Sequence, residues 1–306
     1  MSIAILSEPR FNDDSAARKH LEGLRWPTGP VCPHCGGIER NSALRGASHR
    51  DGLYFCGDCR QQFTVTVGTV FERSKIPLHK WLMAAHLIAA SKKGISSKQI
   101  ERMLGVTYKT AWFMTHRLRE AMKPTGGRMF GAGGKPVEAD ETFIGRKPGR
   151  KKGQGFAHKH AVFSLVERGG NVRSFHVPDI TAATLKEKLV AHVAKDARLM
   201  TDNGGQYRKT KRDFPKHETV NHYDGEYARG DVTTNTIEGF FGIFKRGIYG
   251  TYQHISAQHL ERYTTKFDFR YNNRTSVGVS DSERSDKLLK GISHKRLTYR
   301  RINEAA

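Results

Sequence analysis

Residues 197–205 read ARLMTDNGG, an apolar run that ends on Asp202 immediately before a turn. That is the form of a sheet strand whose carboxyl end carries a site. Outward from it the chain alternates as an α/β domain does. VEADETFIG (137–145), AVFSLVERGG (161–170) and VRSFHVPDI (172–180) read as strands. TAATLKEKLVAHV (181–193) reads as a helix behind the cap candidate Thr181, because Ala182, Leu185, Leu189 and His192 or Val193 recur at helical spacing. The order is strand, strand, strand, helix, strand. Downstream, TNTIEGFFGIFKRGIYG (234–250) has a helical period through Ile237, Phe241, Phe244 and Ile248.

Three acids here are hard to explain as solvated surface. Asp140 lies inside a strand, Asp202 ends one, and Glu238 opens the last helix, with thirty-five residues between Asp202 and Glu238. Two of them also have an ordinary reading. Asn235-x-x-Glu238 is a capping box, and Asp202-Asn-Gly is a turn sequence. Glu138, Glu141 and Asp231 are competing acids, Glu138 on the same strand face as Asp140. As a set, three carboxylates can hold two divalent cations about 3.5 to 4 Å apart, which activates a nucleophile and stabilises a leaving oxygen in phosphodiester chemistry. Oxygen ligands with open water positions suit magnesium or manganese. Lys245, two helical turns after Glu238, and its neighbour Arg246 stand where substrate phosphates would lie.

All four cysteines fall in two C-x2-C pairs, Cys32 with Cys35 and Cys56 with Cys59, with twenty residues between the pairs. The pattern predicts a zinc ribbon: one structural Zn2+ per chain, tetrahedral on four sulfurs, worth on the order of 10 kcal/mol to a unit with little core of its own. Two disulfides or four free thiols are the alternatives, and His34, inside a knuckle, is read as a non-ligand. FTVTVGTVF (63–71) reads as a strand with Phe63, Val65 and Val67 on one face. Pro77 then opens a helix over LHKWLMAAHLIAA. SSKQIERML, with Ser97 as cap, and YKTAWFMTHRLREAM, capped by Thr107, are separated at Gly105 in the manner of a helix-turn-helix. The second is the expected recognition helix, with Tyr108, Lys109, Thr110 and Arg117 as candidates for DNA contact; a protein interface is the other use of such a three-helix unit. PTGGRMFGAGG (124–134) reads as a linker. The division expected is a lead-in helix (1–28), the ribbon (29–72), the helix-turn-helix region (73–123), the linker (124–134), an α/β domain (135–280) and a basic C-terminal tail (281–306).

The chain has 306 residues and a formal net charge of +22. A potential of that sign gathers polyanions, nucleic acid first. The basic residues are spread along the chain and not gathered on one amphipathic helix, which argues against a membrane surface. No run approaches the ~18 apolar residues of a membrane span, and MSIAILSEPRFNDD lacks the basic and apolar regions of a secretory signal. Four clustered cysteines fit a reducing cytoplasm better than a disulfide-stapled secreted fold. RKPGRKK (146–152) is either a solvated loop or a cover over bound DNA.

Taken in order, these motifs resemble the zinc-ribbon DDE transposases of bacterial insertion sequences. The likeness rests on CPHCGG with YFCGDCRQQFTVTVGTVFERSKIPLHKW, then ISSKQIERMLGVTYKTAWFMTHRLREAM, EADETFIGRK, LMTDNGGQY, NTIEGFFGIFKRGIYGTYQHIS and FDFRYNNR. It implies an α/β ribonuclease H-like catalytic domain, a mixed sheet with helices, preceded by a zinc ribbon and a helix-turn-helix. It implies a DDE triad at Asp140, Asp202 and Glu238, and metal-dependent strand cleavage and strand transfer. The partners implied are double-stranded DNA, as element terminal repeats and as target, and further copies of the chain assembled on that DNA. Members often carry a His just before the Asn of the N-T-I-E segment, where this chain has Thr234. A transposase-derived DNA-binding regulator with a silent catalytic domain is the alternative, and the intact acids argue against it. A ribonuclease of the same fold would leave the ribbon and the helix-turn-helix without a use.

Overall fold

The computed structural model describes residues 4–153 and 155–298. They form two compact units: the N-terminal residues to Ser91 with Ile95–Lys123 and the stretch from Gly278 onward, and separately Lys92–Gly94 with Pro124–Val277.

In the first unit, α1 (Asp14–Arg25) starts where the Asp13 carboxylate accepts the Ala16 amide, and it buries Ala17 and Leu21. Trp26, just beyond it, meets Tyr54 and Phe63 edge-on at 5.4 and 5.7 Å. Those two rings belong to a small antiparallel sheet of β1 (Asn41–Ala43), β2 (Tyr54–Cys56) and β3 (Gln62–Phe63). The strand expected to continue to residue 71 stops at Phe63. Threonines bend the backbone instead: the Val67 amide donates to the Thr64 carbonyl, the Thr69 hydroxyl to the Thr66 carbonyl, and Arg25 occupies the Val65 carbonyl.

Three helices follow: α2 (Leu78–Ala90), α3 (Ser97–Leu104) and α4 (Tyr108–Ala121). The cap of α3 is Ser96, one residue before the expected Ser97, because only there do Ser96 and Gln99 satisfy one another's backbone amides. Gly105, at φ 58°, ends α3 in the left-handed region, and the Thr107 hydroxyl accepts the Thr110 amide to start α4. Trp81, Leu82, Ile88, Ile100, Leu104, Met114 and Leu118 are buried side chains of these helices.

The second unit is built on β4 (Pro136–Ile144), β5 (His160–Glu167), β6 (Val172–Val177), α5 (Ala182–His192), β7 (Arg198–Asp202), β8 (Glu218–Val220), the hairpin β9 (Ala228–Arg229) and β10 (Val232–Thr233), α6 (Asn235–Gly247) and α7 (Ala257–Asn272). Its sheet has the order β6-β5-β4-β7-β8, with β5 antiparallel to both neighbours and β4, β7 and β8 parallel. This mixed order, with helices on both faces, is the ribonuclease H-like arrangement. Alternation along β4 sends Val137 and Ala139 to a core shared with Leu185 and Leu189 of α5. On the other face, Ile144 packs with Ile237, Phe241 and Phe244 of α6 and Leu260 and Phe267 of α7.

Two expected boundaries change. The glycine-rich stretch is not a free linker throughout: Phe130 is 4% exposed, its amide donates to the His192 carbonyl, and its carbonyl accepts the Ala194 amide. A Cβ on Gly131, at φ +76°, would fall 2.4 Å from Ala197 Cβ, so only glycine fits there. The segment from 281, expected as a tail, forms α8 (Asp281–Lys290) as far as Lys290. Ser280 and Glu283 make its capping box, and Leu288, Leu289 and Ile292 are buried in the first unit. Of the expected tail, 299–306 lies outside the described residues. Among the described residues no helix is long and apolar enough to cross a membrane.

Candidate active site and metal centre

The four cysteines come together on the small sheet, with Cys32 and Cys59 Sγ atoms 3.6 Å apart and Cys35 and Cys56 also 3.6 Å apart. A disulfide requires about 2.05 Å, so these are not disulfides. Tetrahedral zinc–sulfur bonds of about 2.3 Å put sulfurs roughly 3.8 Å apart, and the donor set fits that ion. All four Sγ atoms lie within 4.8 Å of one another, and among the described residues they are the only such group of three or more His, Cys, Asp or Glu. Amide hydrogen bonds, that of Cys59 first, draw the Cys56 thiol down to about 7, while burial and the neighbouring sulfurs push the Cys59 thiol up to about 12, a crowding of four sulfurs that a bound cation would relieve.

The acids gather at the carboxyl end of the second unit's sheet. Glu138 on β4 lies beside Met200 on β7, and the strands run parallel. Two residues further along, Asp140 and Asp202 come level on strands about 4.8 Å apart, on the face that α6 covers. Burial first, then the charges of Glu141, Asp202 and Glu238, push the Asp140 carboxyl up to about 8, while the Glu141 amide donating to its Oδ1 at 2.7 Å works against them. Asp202 also fulfils its turn role, one oxygen accepting the Gly204 amide at 3.1 Å.

Glu238 is not a capping-box residue. The N-cap of α6 is Thr234, Asn235 being already helical, and the Thr234 side chain makes no cap bond. Its hydroxyl donates to Glu238 Oε1 at 2.8 Å instead, and His222 Nε2 lies 3.6 Å from the same oxygen. The position before Asn235, where the resemblance leads one to expect His, is thus filled by a hydroxyl, with an imidazole supplied by His222 after β8.

The competing acids have other partners. Glu138, fully buried, accepts the Ile237 amide at 2.9 Å, the Thr236 hydroxyl at 2.8 Å and Arg168 Nε at 2.6 Å. It therefore caps α6 from a neighbouring strand. Arg168 also donates to the carbonyls of Asp231 and Thr233, fixing the approach to α6. Asp231 is gripped by Arg198, which holds its carboxyl below the ordinary range. Glu141 accepts Gln206 Nε2 at 2.5 Å and the buried Tyr207 hydroxyl at 2.6 Å. Nothing local in the sequence marks the Glu138–Arg168 pair, whose members stand thirty residues apart. Gln206 and Tyr207 carry a weak signal, since they directly follow the Asp202 motif.

Among the DNA-contact candidates, Tyr108 and Lys109 are exposed at the start of α4, with Lys98 Nζ 4.8 Å from the Tyr108 ring centre. Thr110 is half-buried and its hydroxyl meets that of Thr107 at 2.9 Å. Arg117 is held within its own unit, donating to the carbonyls of Leu297 and Glu72 and lying over Phe113. Lys245 and Arg246 are exposed on the last turn of α6.

The family model of the ISXO2-like transposase domain matches residues 131–272, and that of the transposase zinc-ribbon domain matches residues 12–62. A Halobacterium salinarum protein, described as an uncharacterized protein in transposable element ISH50, is 30% identical over 280 residues, which cover 85% of this chain and 91% of that protein. Among solved structures, a simian T-cell lymphotropic virus intasome in complex with PP2A regulatory subunit B56 gamma is similar at 14% identity and a TM-score of 0.30, over 55% of this chain and 63% of that one. A pre-cleavage Mos1 transpososome is similar at 14% identity and a TM-score of 0.29, over 63% and 70% of the two chains. Since the two matched regions carry the cysteine cluster and the sheet with its three acids, and the halobacterial relative matches 85% of the chain, the chain belongs to the family of insertion-sequence transposases that join a zinc ribbon to an ISXO2-like DDE domain.

Proposed function

We propose that the chain binds the terminal repeats of its element as double-stranded DNA, cuts there, and joins the 3′ ends to target DNA by transesterification. Asp140, Asp202 and Glu238 are the catalytic set and hold two divalent cations, magnesium or manganese. Asp140 carries the reading: a half-buried carboxyl pushed up to about 8 by desolvation and by acids that include Asp202 and Glu238 is relieved by bound cations. Cations held there supply Lewis acidity toward phosphate oxygens and ease deprotonation of the attacking hydroxyl.

The chain's own part is to place and orient. The sheet fixes Asp140 and Asp202, Glu138 and Arg168 pin the start of α6, and Thr234 orients the Glu238 carboxylate. Lys245 and Arg246 hold substrate phosphates. The zinc on Cys32, Cys35, Cys56 and Cys59 stabilises the ribbon and takes no part in the chemistry. The ribbon and α3–α4 dock on the repeats, with Tyr108, Lys109 and Thr110 toward DNA and Arg117 bracing α4. Copies assemble on DNA, in the cytoplasm.

The test is a reaction of the full chain with repeat-ended DNA, a target plasmid and magnesium or manganese. Cleavage at the repeat and joined products are expected, and Asp140→Asn or Asp202→Asn abolishes both while repeat binding stays. Parental product levels from either variant overturn the reading.

A further inference from the structure

The β4–β5 hairpin ends in a loop, 145–159, that the catalytic set does not use. It carries Arg146, Lys147, Arg150, Lys151, Lys152 and Lys159 and no acid. Arg146 donates to the Arg150 carbonyl, and Lys147 donates to the Pro178 carbonyl with the Asp179 carboxylate near enough to feel its charge. Among the described residues, no acid pairs with Arg150, Lys151 or Lys152, all of them exposed. Their charge faces outward uncompensated. The loop is nevertheless shaped. The Lys147 amide closes its neck on the His158 carbonyl at 2.8 Å, and Lys147-Pro148-Gly149-Arg150 turns with Gly149 at φ 71° in the third position, as a type II turn requires.

One side chain does not suit a merely solvated basic loop. Phe156 is 53% exposed, yet it is held flat on Phe143 of β4, ring centres 4.5 Å apart and planes at 14°. Lys159 Nζ lies 5.3 Å from its ring centre. Phe143 stands three residues beyond Asp140, about 10 Å along the strand, on the opposite face of the sheet, where it packs against the core under α5. An exposed aromatic ring held on a rigid strand, with one lysine beside it and further cations in the same loop, matches one ligand chemistry: a nucleic-acid base stacks on the ring while its strand's phosphates meet Lys and Arg.

We propose that Phe156, backed by Phe143, is a stacking platform for an unpaired base of a DNA strand that passes the end of β4 beyond the acids, with Arg150, Lys151 and Lys152 tracking that strand's phosphates. The proposal rests on the reading above that DNA is the substrate. It assigns this loop to single-stranded DNA rather than to intact duplex, because a stacked pair offers no free face to the ring.

The test compares binding of the full chain to a duplex of arbitrary sequence with a short single-stranded overhang and to its blunt-ended counterpart. Phe156→Ala is expected to weaken overhang binding about tenfold, the lower part of the range for one base–aromatic stack, with blunt duplex binding unchanged and Phe156→Trp near the parent. Equal loss on both probes, or none on the overhang, overturns the platform. A second measurement avoids variants: 5-iodouracil in the overhang, irradiated on the parental chain, is expected to crosslink to Phe156, and crosslinking only elsewhere also overturns it. A parent that binds neither probe refutes the function proposed above as well. Intact binding and strand transfer in Phe156→Ala, on overhang and blunt DNA alike, refutes the platform alone.

Discussion

At Asp140, burial and neighbouring acids act in the same direction, and the carboxyl titrates near 8 in the folded chain against 3.8 for an ordinary aspartate. Between those values the folded state holds a proton that the unfolded state has lost, so this group's contribution to stability is full below about pH 4 and is lost as pH rises toward 8. Asp140→Asn removes the dependence. Without divalent cations the variant is expected to melt above the parent at pH 8 and level with it at pH 4, and added magnesium should raise the parent's Tm but not the variant's. Calorimetry with and without magnesium checks this; an equal response of both proteins contradicts it. Glu138, two residues away on the same strand face, has a structural part instead, its carboxylate paired and hydrogen-bonded three times. Glu138→Ala leaves Arg168 without that partner and is expected to destabilise the second unit by about 3 to 5 kcal/mol, measured by urea denaturation. The different roles of these two acids are not legible in the sequence, since both lie on one face of one strand. They are separated by Arg168 and the start of α6, which only the fold brings to Glu138.

Elements are legible where the pattern is long and local bonds agree with it. The helix Ala182–His192 and the helix of Ile237, Phe241 and Phe244 lie as the apolar spacing places them. The alternation in FTVTVGTVF misleads, because threonine hydroxyls offer the backbone turn bonds that compete with a ladder. The helix Asp281–Lys290 escapes a reading by period although its Ser280-x-x-Glu283 cap stands in the sequence, since ten residues with a largely charged surface give a weak pattern. The ribbon is held by its cysteines and by few apolar side chains, Trp26, Tyr54 and Phe63 among them. Chelating the zinc is therefore expected to erase amide hydrogen-exchange protection over residues 29–72 while β4, β5 and β7, with their separate cores, keep theirs. Protection retained in the ribbon, or lost equally in both regions, contradicts a structural zinc there.

Over the whole molecule, the charge of +22 and the exposed cations Arg150, Lys151, Lys152, Lys245 and Arg246 predict that phosphate neutralisation is the largest contribution to the DNA affinity proposed above. If six or more phosphates are neutralised, affinity should fall about 10³-fold or more between roughly 50 and 200 mM salt, measured by anisotropy; a salt-insensitive complex contradicts it. Such binding is separable from chemistry, since it draws on charges that substitutions at the three acids leave untouched. The most direct test of the catalytic set is therefore strand transfer by Glu238→Gln on repeat-ended DNA with magnesium. Gln keeps the size of the side chain and an acceptor for the Thr234 hydroxyl while removing the charge that holds a cation. The prediction is a folded protein that binds the repeat as the parent does and yields no joined product. Near-parental joining by that variant would contradict the triad and put the third carboxylate elsewhere.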